Sequence, residues 1–179
     1  IAPNGEKILI HVSNFRKVKR VEDVLKMFDV VVKKIPSKLF LVGDGPERPN
    51  IERLCRSLGN CDQIRFLGKQ EPVEELLAVS DLFVLPSENE SFGLAALEAM
   101  AVEVPVISSN AGGIPEINIH GKTGFMSNAG DFADMAKNAI YILQDENRLK
   151  EFKANALEQA KTFDIENILP QYEAYYKKI

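Results

Sequence analysis

The chain has 179 residues, 45% of them hydrophobic and 27% charged, with a net charge of -4. That is enough for one domain with a full core, while the acidic balance argues against general binding to nucleic acid or membrane surfaces. The longest apolar runs are strand-sized and none approaches membrane-spanning length.

Apolar runs of strand length alternate with helical patterns along the chain. Lys7–Ser13 reads as a buried strand, and the 3.6 period of Val21, Val24, Leu25, Phe28, Val31, Val32 and Ile35 predicts a helix after it. Lys38–Gly43 is the next strand. Gly43-Asp44-Gly45-Pro46 is a tight turn, and Pro49 starts a helix that ends near Leu58-Gly59. A strand at Ile64–Leu67, a short helix at Glu74–Val79 and a strand at Leu82–Leu85 follow. After a helix that carries Glu98, Val104–Ile107 is a strand, Gly112-Gly113 a turn and Gly124-Phe125-Met126 a last short strand. Asp131–Leu143, Glu146–Phe163 and Ile165–Lys178 are helices. Repeated alternation of this kind predicts an α/β fold, a doubly wound parallel sheet covered on both faces. Ligands of such sheets bind at the carboxyl ends of the strands, and the polar and glycine-rich loops singled out here all follow predicted strands.

Three further features bound the reading. Cys55 and Cys61 are too few for a zinc site or a disulfide framework, and they are expected as two reduced thiols in a cytoplasmic protein. No secretory leader is visible. The opening Ile1-Ala2-Pro3-Asn4-Gly5 reads as a cut at a linker, so the chain is expected to be a piece of a larger protein.

The chemistry concentrates in two loops. Arg16-Lys17-Val18-Lys19-Arg20 puts four cations among five residues at a helix start, where they oppose the helix dipole. A bound anion would offset that cost. Ser87-Glu88-Asn89-Glu90-Ser91-Phe92-Gly93-Leu94 leads into the helix that carries Glu98. The free N–H groups at that helix start suit a phosphate, and Glu90 and Glu98 flank them. The alanines around Glu98 suggest that it lies in a buried stretch, where a carboxylate needs partners. A diphosphate between two polyhydroxy rings fits this layout, which describes a nucleotide-sugar. His11 and His120 have no neighbouring nucleophile pattern and read as structural. No metal cluster is visible.

Together, Gly43-Asp44-Gly45-Pro46, Phe66-Leu67-Gly68, Ser80-Asp81-Leu82-Phe83-Val84-Leu85-Pro86-Ser87, the Glu90/Glu98 pair with Phe92-Gly93-Leu94, Gly112-Gly113-Ile114-Pro115-Glu116 and Gly121-Lys122-Thr123-Gly124-Phe125 form one pattern. In this order they resemble the C-terminal, donor-binding domain of the family-four retaining glycosyltransferases, which have the two-domain GT-B fold. Ser13-Asn14-Phe15-Arg16 followed by Val18-Lys19-Arg20 is similar to the members that transfer N-acetylglucosamine to L-malate in bacillithiol synthesis.

The resemblance implies a donor, UDP-GlcNAc, held without metal or cofactor. It implies catalytic roles for Lys19, Arg16 and Glu90, with the two cations on the departing diphosphate and Glu90 on the sugar hydroxyls. Glu98 takes the ribose hydroxyls, the backbone near Phe92, Gly93 and Leu94 takes phosphate, and the backbone from Arg65 through Leu67 reads uracil. Asn14 and Gly43 complete the donor-binding set. Attack from the front face of an ion-pair-like transition state retains configuration. The acceptor site belongs to an N-terminal domain that this chain lacks, so transfer is expected only in the larger protein. The terminal helix with Tyr172, Tyr175 and Tyr176 would cross back to that missing domain, so here the tyrosines are expected to be exposed or to make contacts with another copy in a homo-oligomer, the alternative being ordinary packing on this domain. Two departures stand out. The family usually has Gly-Arg where this chain has Ser13-Asn14, and commonly has glycine where it has Glu103. The residues alone also admit a transferase for another sugar or for a lipid or inositol phosphate acceptor, and a non-catalytic nucleotide-binding module.

Overall fold

The computed structural model describes residues 2–3 and 5–177. Six strands make one sheet: β1 (Lys7–Val12), β2 (Ser37–Val42), β3 (Ile64–Gly68), β4 (Leu82–Leu85), β5 (Val106–Ser109) and β6 (Gly124–Ser127). Their order is β3-β2-β1-β4-β5-β6, with every pairing parallel. The helices are α1 (Val21–Val32), α2 (Arg48–Leu58), α3 (Glu74–Ala78), α4 (Leu94–Ala101), α5 (Ile114–Ile117), α6 (Phe132–Leu143), α7 (Glu146–Lys161) and α8 (Ile165–Tyr176). This is the expected doubly wound α/β sheet, and its order reverses between β1 and β4, where such sheets bind ligands.

Strand side chains alternate between two cores. Leu9, Leu39, Leu41, Leu82 and Val84 pack with α1, α2 and α6. Ile8, Ile10, Phe40, Val42, Phe83 and Leu85 pack with α3, α4 and α5. Both faces of the central strands are covered, which is why their sequences are continuously apolar.

Several boundaries depart from the sequence reading. β5 begins at Val106, two residues later than expected, and ends on Ser108 and Ser109, whose hydroxyls hide them from an apolar pattern. Ile114–Ile117, just after the Gly112-Gly113 turn and not assigned to any element from sequence, is a single helical turn. Helix α1 stops at Val32, before Ile35. Lys178, the expected end of the last helix, lies outside the described residues. Cys55 and Cys61 are joined in a disulfide with Cα atoms 5.4 Å apart, which corrects the expectation of two thiols. Gly59 ends α2 in the left-handed conformation and turns the chain back, so Cys61 returns beside the last helical turn. Helix α8 leaves Ile165, Leu169, Tyr172, Tyr175 and Tyr176 exposed, so its tyrosines do not pack into this domain.

The end of α4 explains one departure from the family pattern. Val104 N–H donates to Ala99 C=O at 3.0 Å and Glu103 N–H to Met100 C=O at 3.1 Å. This is a Schellman closure, and its pivot is a left-handed residue that is usually glycine. Here the pivot is Glu103, with φ +65°. A side chain in that region costs about 1–2 kcal/mol, while glycine gives back about 0.5–1 kcal/mol in unfolded-state entropy. Glu103→Gly is therefore expected to stabilise the chain by about 0.5–1 kcal/mol, read as a higher urea midpoint with unchanged slope.

Candidate functional site

The loops after β1, β2, β4 and β5 meet at the carboxyl edge of the sheet. Their backbones touch. A Cβ on Gly43, which has φ +117°, would stand 1.8 Å from the Ser13 carbonyl oxygen, and one on Gly112 would stand 1.9 Å from that of Glu90. Gly43 thus makes a close backbone approach to the neighbouring loop. Gly43 acts on the site by letting the Ser13–Asn14 backbone settle where it does. Likewise Gly113 N–H donates to Glu90 C=O at 3.0 Å, which fixes the residue that carries the carboxylate.

At the reversal of strand order, Lys19 Nζ donates to Glu90 Oε2 at 2.6 Å, across 71 residues of sequence. Both side chains are mostly shielded, 21% and 16% exposed, so the pair is little screened by water. A cavity of about 300 Å³ holds both, together with Ser13, Asn14, Gly93 and Leu94. Gly93, with φ +95°, is the cap residue of α4 and turns the helix start toward this cavity. Four of the expected residues (Asn14, Lys19, Gly93 and Leu94) are therefore brought together with Glu90. A larger cavity of about 1010 Å³ lies against α6 and α7 and includes none of them.

The other expected residues lie around this centre. Glu98 is one helical turn beyond Leu94 on α4, and both are exposed. That corrects the expectation of burial: the alanines Ala96 and Ala99 face the core while Glu98 lies on the opposite side. Its pKa is still raised, by partial loss of water and then by the nearby Glu74 carboxylate. Phe92 is half-buried edge-on against Phe163, ring centres 5.7 Å apart. Arg65 and Leu67 sit on the edge strand β3, away from the Lys19–Glu90 cavity, and Gln70 Nε2 donates to the Leu67 carbonyl at 2.6 Å. Arg16 points into a separate cavity of about 300 Å³, which it lines with Lys17, Arg20 and Lys26. Among the described residues no group of three or more His, Cys, Asp or Glu could hold a metal.

His11 and His120, read as structural from the sequence, hydrogen-bond within the fold, and His11 supports the centre. His11, fully buried, lies 2.8 Å from Val84 C=O through Nδ1 and 2.7 Å from Ser13 Oγ through Nε2. A carbonyl only accepts, so Nδ1 carries the proton and Nε2 accepts from the Ser13 hydroxyl. Ser13 Oγ in turn lies 3.3 Å from Phe15 N–H and accepts from it. Burial pushes the His11 pKa down to about 4, which keeps the ring neutral as this chain of bonds requires. His120 also serves the fold, its Nδ1 accepting from Met126 N–H at 3.1 Å. Arg20 and Glu88, neighbours of the two principal residues, pair with each other. The signal for that pairing was not in any local pattern, since 68 residues separate them.

A doubly wound sheet with a cation, a carboxylate and a helix start gathered at its switch point has the place where α/β domains of this kind take their ligands. The chain belongs to the glycosyl transferases group 1 family, whose model matches residues 1–159. It is 51% identical over 173 residues to N-acetyl-alpha-D-glucosaminyl L-malate synthase of Bacillus anthracis, covering 96% of this chain and 45% of that protein. It is 33% identical over 168 residues to sulfoquinovosyl transferase SQD2 of Arabidopsis thaliana, covering 90% and 32%. The chain thus spans less than half the length of these curated relatives. The fold matches the crystal structure of Anabaena Alr3699/HepE in complex with UDP, with a TM-score of 0.90 at 24% identity over 97% of this chain and 49% of that one. Among the described residues no helix is long and apolar enough to cross a membrane.

Two pH effects follow from the shifted groups. His11 has a depressed folded pKa, so its neutral form stabilises the fold fully above about 6.5 and that contribution is lost as pH falls to about 4. The expected loss is roughly 3 kcal/mol, and His11→Gln, less stable at the outset, should lack this part of the acid limb in urea titrations. Glu98 has the opposite sense for an acid: its raised folded pKa costs stability at neutral pH. Glu98→Gln should therefore be the more stable form at pH 7, and its advantage should vanish as pH falls below the ordinary carboxylate range.

Proposed function

We propose that this chain is the donor-binding domain of a metal-independent, retaining glycosyltransferase that moves N-acetylglucosamine from UDP-GlcNAc to L-malate. The observation that carries the donor site is the Lys19–Glu90 pair in a cavity at the start of α4. The 51% identity to a malate-accepting relative supports the choice of acceptor and of sugar.

The chemistry of such a site follows from its parts. Lys19 lies at the α4 start and neutralises the diphosphate as the bond to the anomeric carbon breaks. The N–H groups beyond Gly93 share that charge, so cations and a helix terminus take the part a metal plays elsewhere. Once Lys19 turns to phosphate, Glu90 is free to accept from two sugar hydroxyls. Glu98, exposed one turn further along α4, accepts from the ribose diol. The uracil lies toward β3, where backbone groups near Arg65 and Leu67 meet its edge. Arg16, turned into the adjacent cavity, adds to the local positive potential and not to a direct contact. The acceptor comes from an N-terminal domain, and closure of the two domains completes the site. The setting is the cytoplasm.

The test is a metal-free calorimetric titration of the chain with uridine diphosphate and adenosine diphosphate, repeated on Glu98→Ala. Uridine diphosphate should bind preferentially, with affinity reduced about tenfold or more in the variant. Equal binding of the two nucleotides, or no effect of the substitution, would overturn the donor assignment. The full-length protein should form glucosaminyl-malate from UDP-GlcNAc and malate, and the chain alone should form none.

A further inference from the structure

Arg20 is an arginine where the backbone asks for glycine. Its φ of +48° and ψ of 43° place it in the left-handed region, between the 3-10 turn Lys17–Lys19 and helix α1. Strain of this kind persists only where other interactions hold it in place. Here the holding groups are visible. Nε donates to Asp23 Oδ2 at 2.5 Å, and Asp23 is buried. Nη1 donates to the Glu88 carboxylate on the loop after β4. The guanidinium also lies against Gly130, where a Cβ would come within 3.2 Å of Nη2.

The residue on the other side of Lys19 is tied to the same place. Glu88 N–H donates to Val18 C=O at 2.8 Å. Glu88 therefore grips both neighbours of Lys19, one through its backbone and one through its side chain. It does so two residues before Glu90. The reach of Lys19 to Glu90 is thus set by a short closed circuit, Val18–Lys19–Arg20 on one side and Glu88–Asn89–Glu90 on the other.

We propose that Arg20 and Glu88 are positioning residues, a clasp that fixes the Lys19 ammonium beside Glu90 and over the diphosphate position. The clasp touches no donor atom and works through Lys19. It rests on the proposed donor-site reading. The planar guanidinium suits the task because its fork serves two carboxylates at once, whereas an ammonium is a single flexible point charge. The two ends of the fork divide the work. Asp23 ties Arg20 to its own helix and needs that cation because it is buried. Glu88, about half exposed, contributes little to folding and links the helix to the loop that carries Glu90.

The division makes Glu88 the substitution to test, since Glu88→Ala opens the clasp while leaving the Arg20–Asp23 pair intact. In this chain Glu88→Ala should leave the thermal midpoint unchanged and weaken uridine diphosphate about three- to tenfold. Glu88→Gln, which keeps an acceptor oxygen, should recover part of that affinity. In a Lys19→Ala background the Glu88→Ala change should have no further effect, because a positioning residue acts only through the group it places. Amide exchange at Glu88 should also quicken in Glu88→Ala, nucleotide present or not. Unchanged affinity in Glu88→Ala, full additivity with Lys19→Ala, or unchanged exchange at Glu88 would overturn the clasp. If Lys19→Ala alone leaves uridine diphosphate affinity intact, or the unsubstituted chain does not bind it, the donor-site reading fails and takes the clasp with it.

Discussion

The arrangement of this domain depends on how closely its strand-end loops approach one another. The Ser13 carbonyl occupies the space that any side chain at position 43 would need, and the Glu90 carbonyl does the same at position 112. Backbones that close together leave each loop little freedom to move alone. The loop after β1 rests on the loop after β2, and the loop after β4 rests on the loop after β5. Between these two stacked pairs lies the reversal of strand order. The cavity there is bounded by main chain that the sheet has already fixed, so the side chains entering it inherit a defined origin. That is the form of preorganisation a binding site needs, because little remains to be ordered when a ligand arrives.

On that frame, long-range polar links join the two halves of the sheet. The chain of bonds from Val84 through His11 and Ser13 to Phe15 ties the start of the cationic loop to β4. The Lys19–Glu90 and Arg20–Glu88 pairs tie its end to the loop after β4. Phe15 and Arg20 both have positive φ, and they stand near either end of this loop. Phe15 buries its ring completely, so the core holds the first strained residue and ion pairs hold the second. The two kinds of anchor respond differently to solution conditions. The histidine link weakens in acid, while of the ion pairs Arg20–Glu88, with its half-exposed carboxylate, is the one that weakens with salt.

Much of this was legible in the sequence because the strands are buried on both faces and so appear as apolar runs of the right length. The parallel order followed from alternation with helices. The carboxylate at Glu90 and the run of four cations from Arg16 to Arg20 stood out by their place after strands, and the family resemblance singled out Lys19 within that run. What stayed hidden depended on neighbours distant in sequence. Nothing local announces that the Ser13 backbone takes the space a side chain at Gly43 would need. Glu98 read as buried because alanines surround it, yet of these only Ala96 and Ala99 are buried, and a helix in contact with one core leaves its other side to solvent. Arg16 and Arg20 look alike in the cationic run and line one cavity, yet only Arg20, on a left-handed backbone, pairs with Asp23 and Glu88. Ser108 and Ser109 carry no apolar signal, so β5 was placed two residues early.

The two carboxylates of the α4 segment illustrate how one residue type can be prepared for two tasks. Glu90 is shielded and already satisfied by an ammonium 2.6 Å away. Any ligand that uses it must first offer that ammonium something better, and a diphosphate, with more charge and more acceptor oxygens, does so. A neutral sugar alone does not. Glu98 is exposed and held partly against its charged form by burial and by Glu74. It is poised to gain from a pair of neutral donors such as a diol, which ask for no displaced cation. In the proposed donor site the phosphate-bearing part of the ligand must therefore engage before Glu90 becomes available to the sugar, whereas the ribose contact is open from the start. The nucleotide, and not the sugar, is then the handle by which the donor is first held.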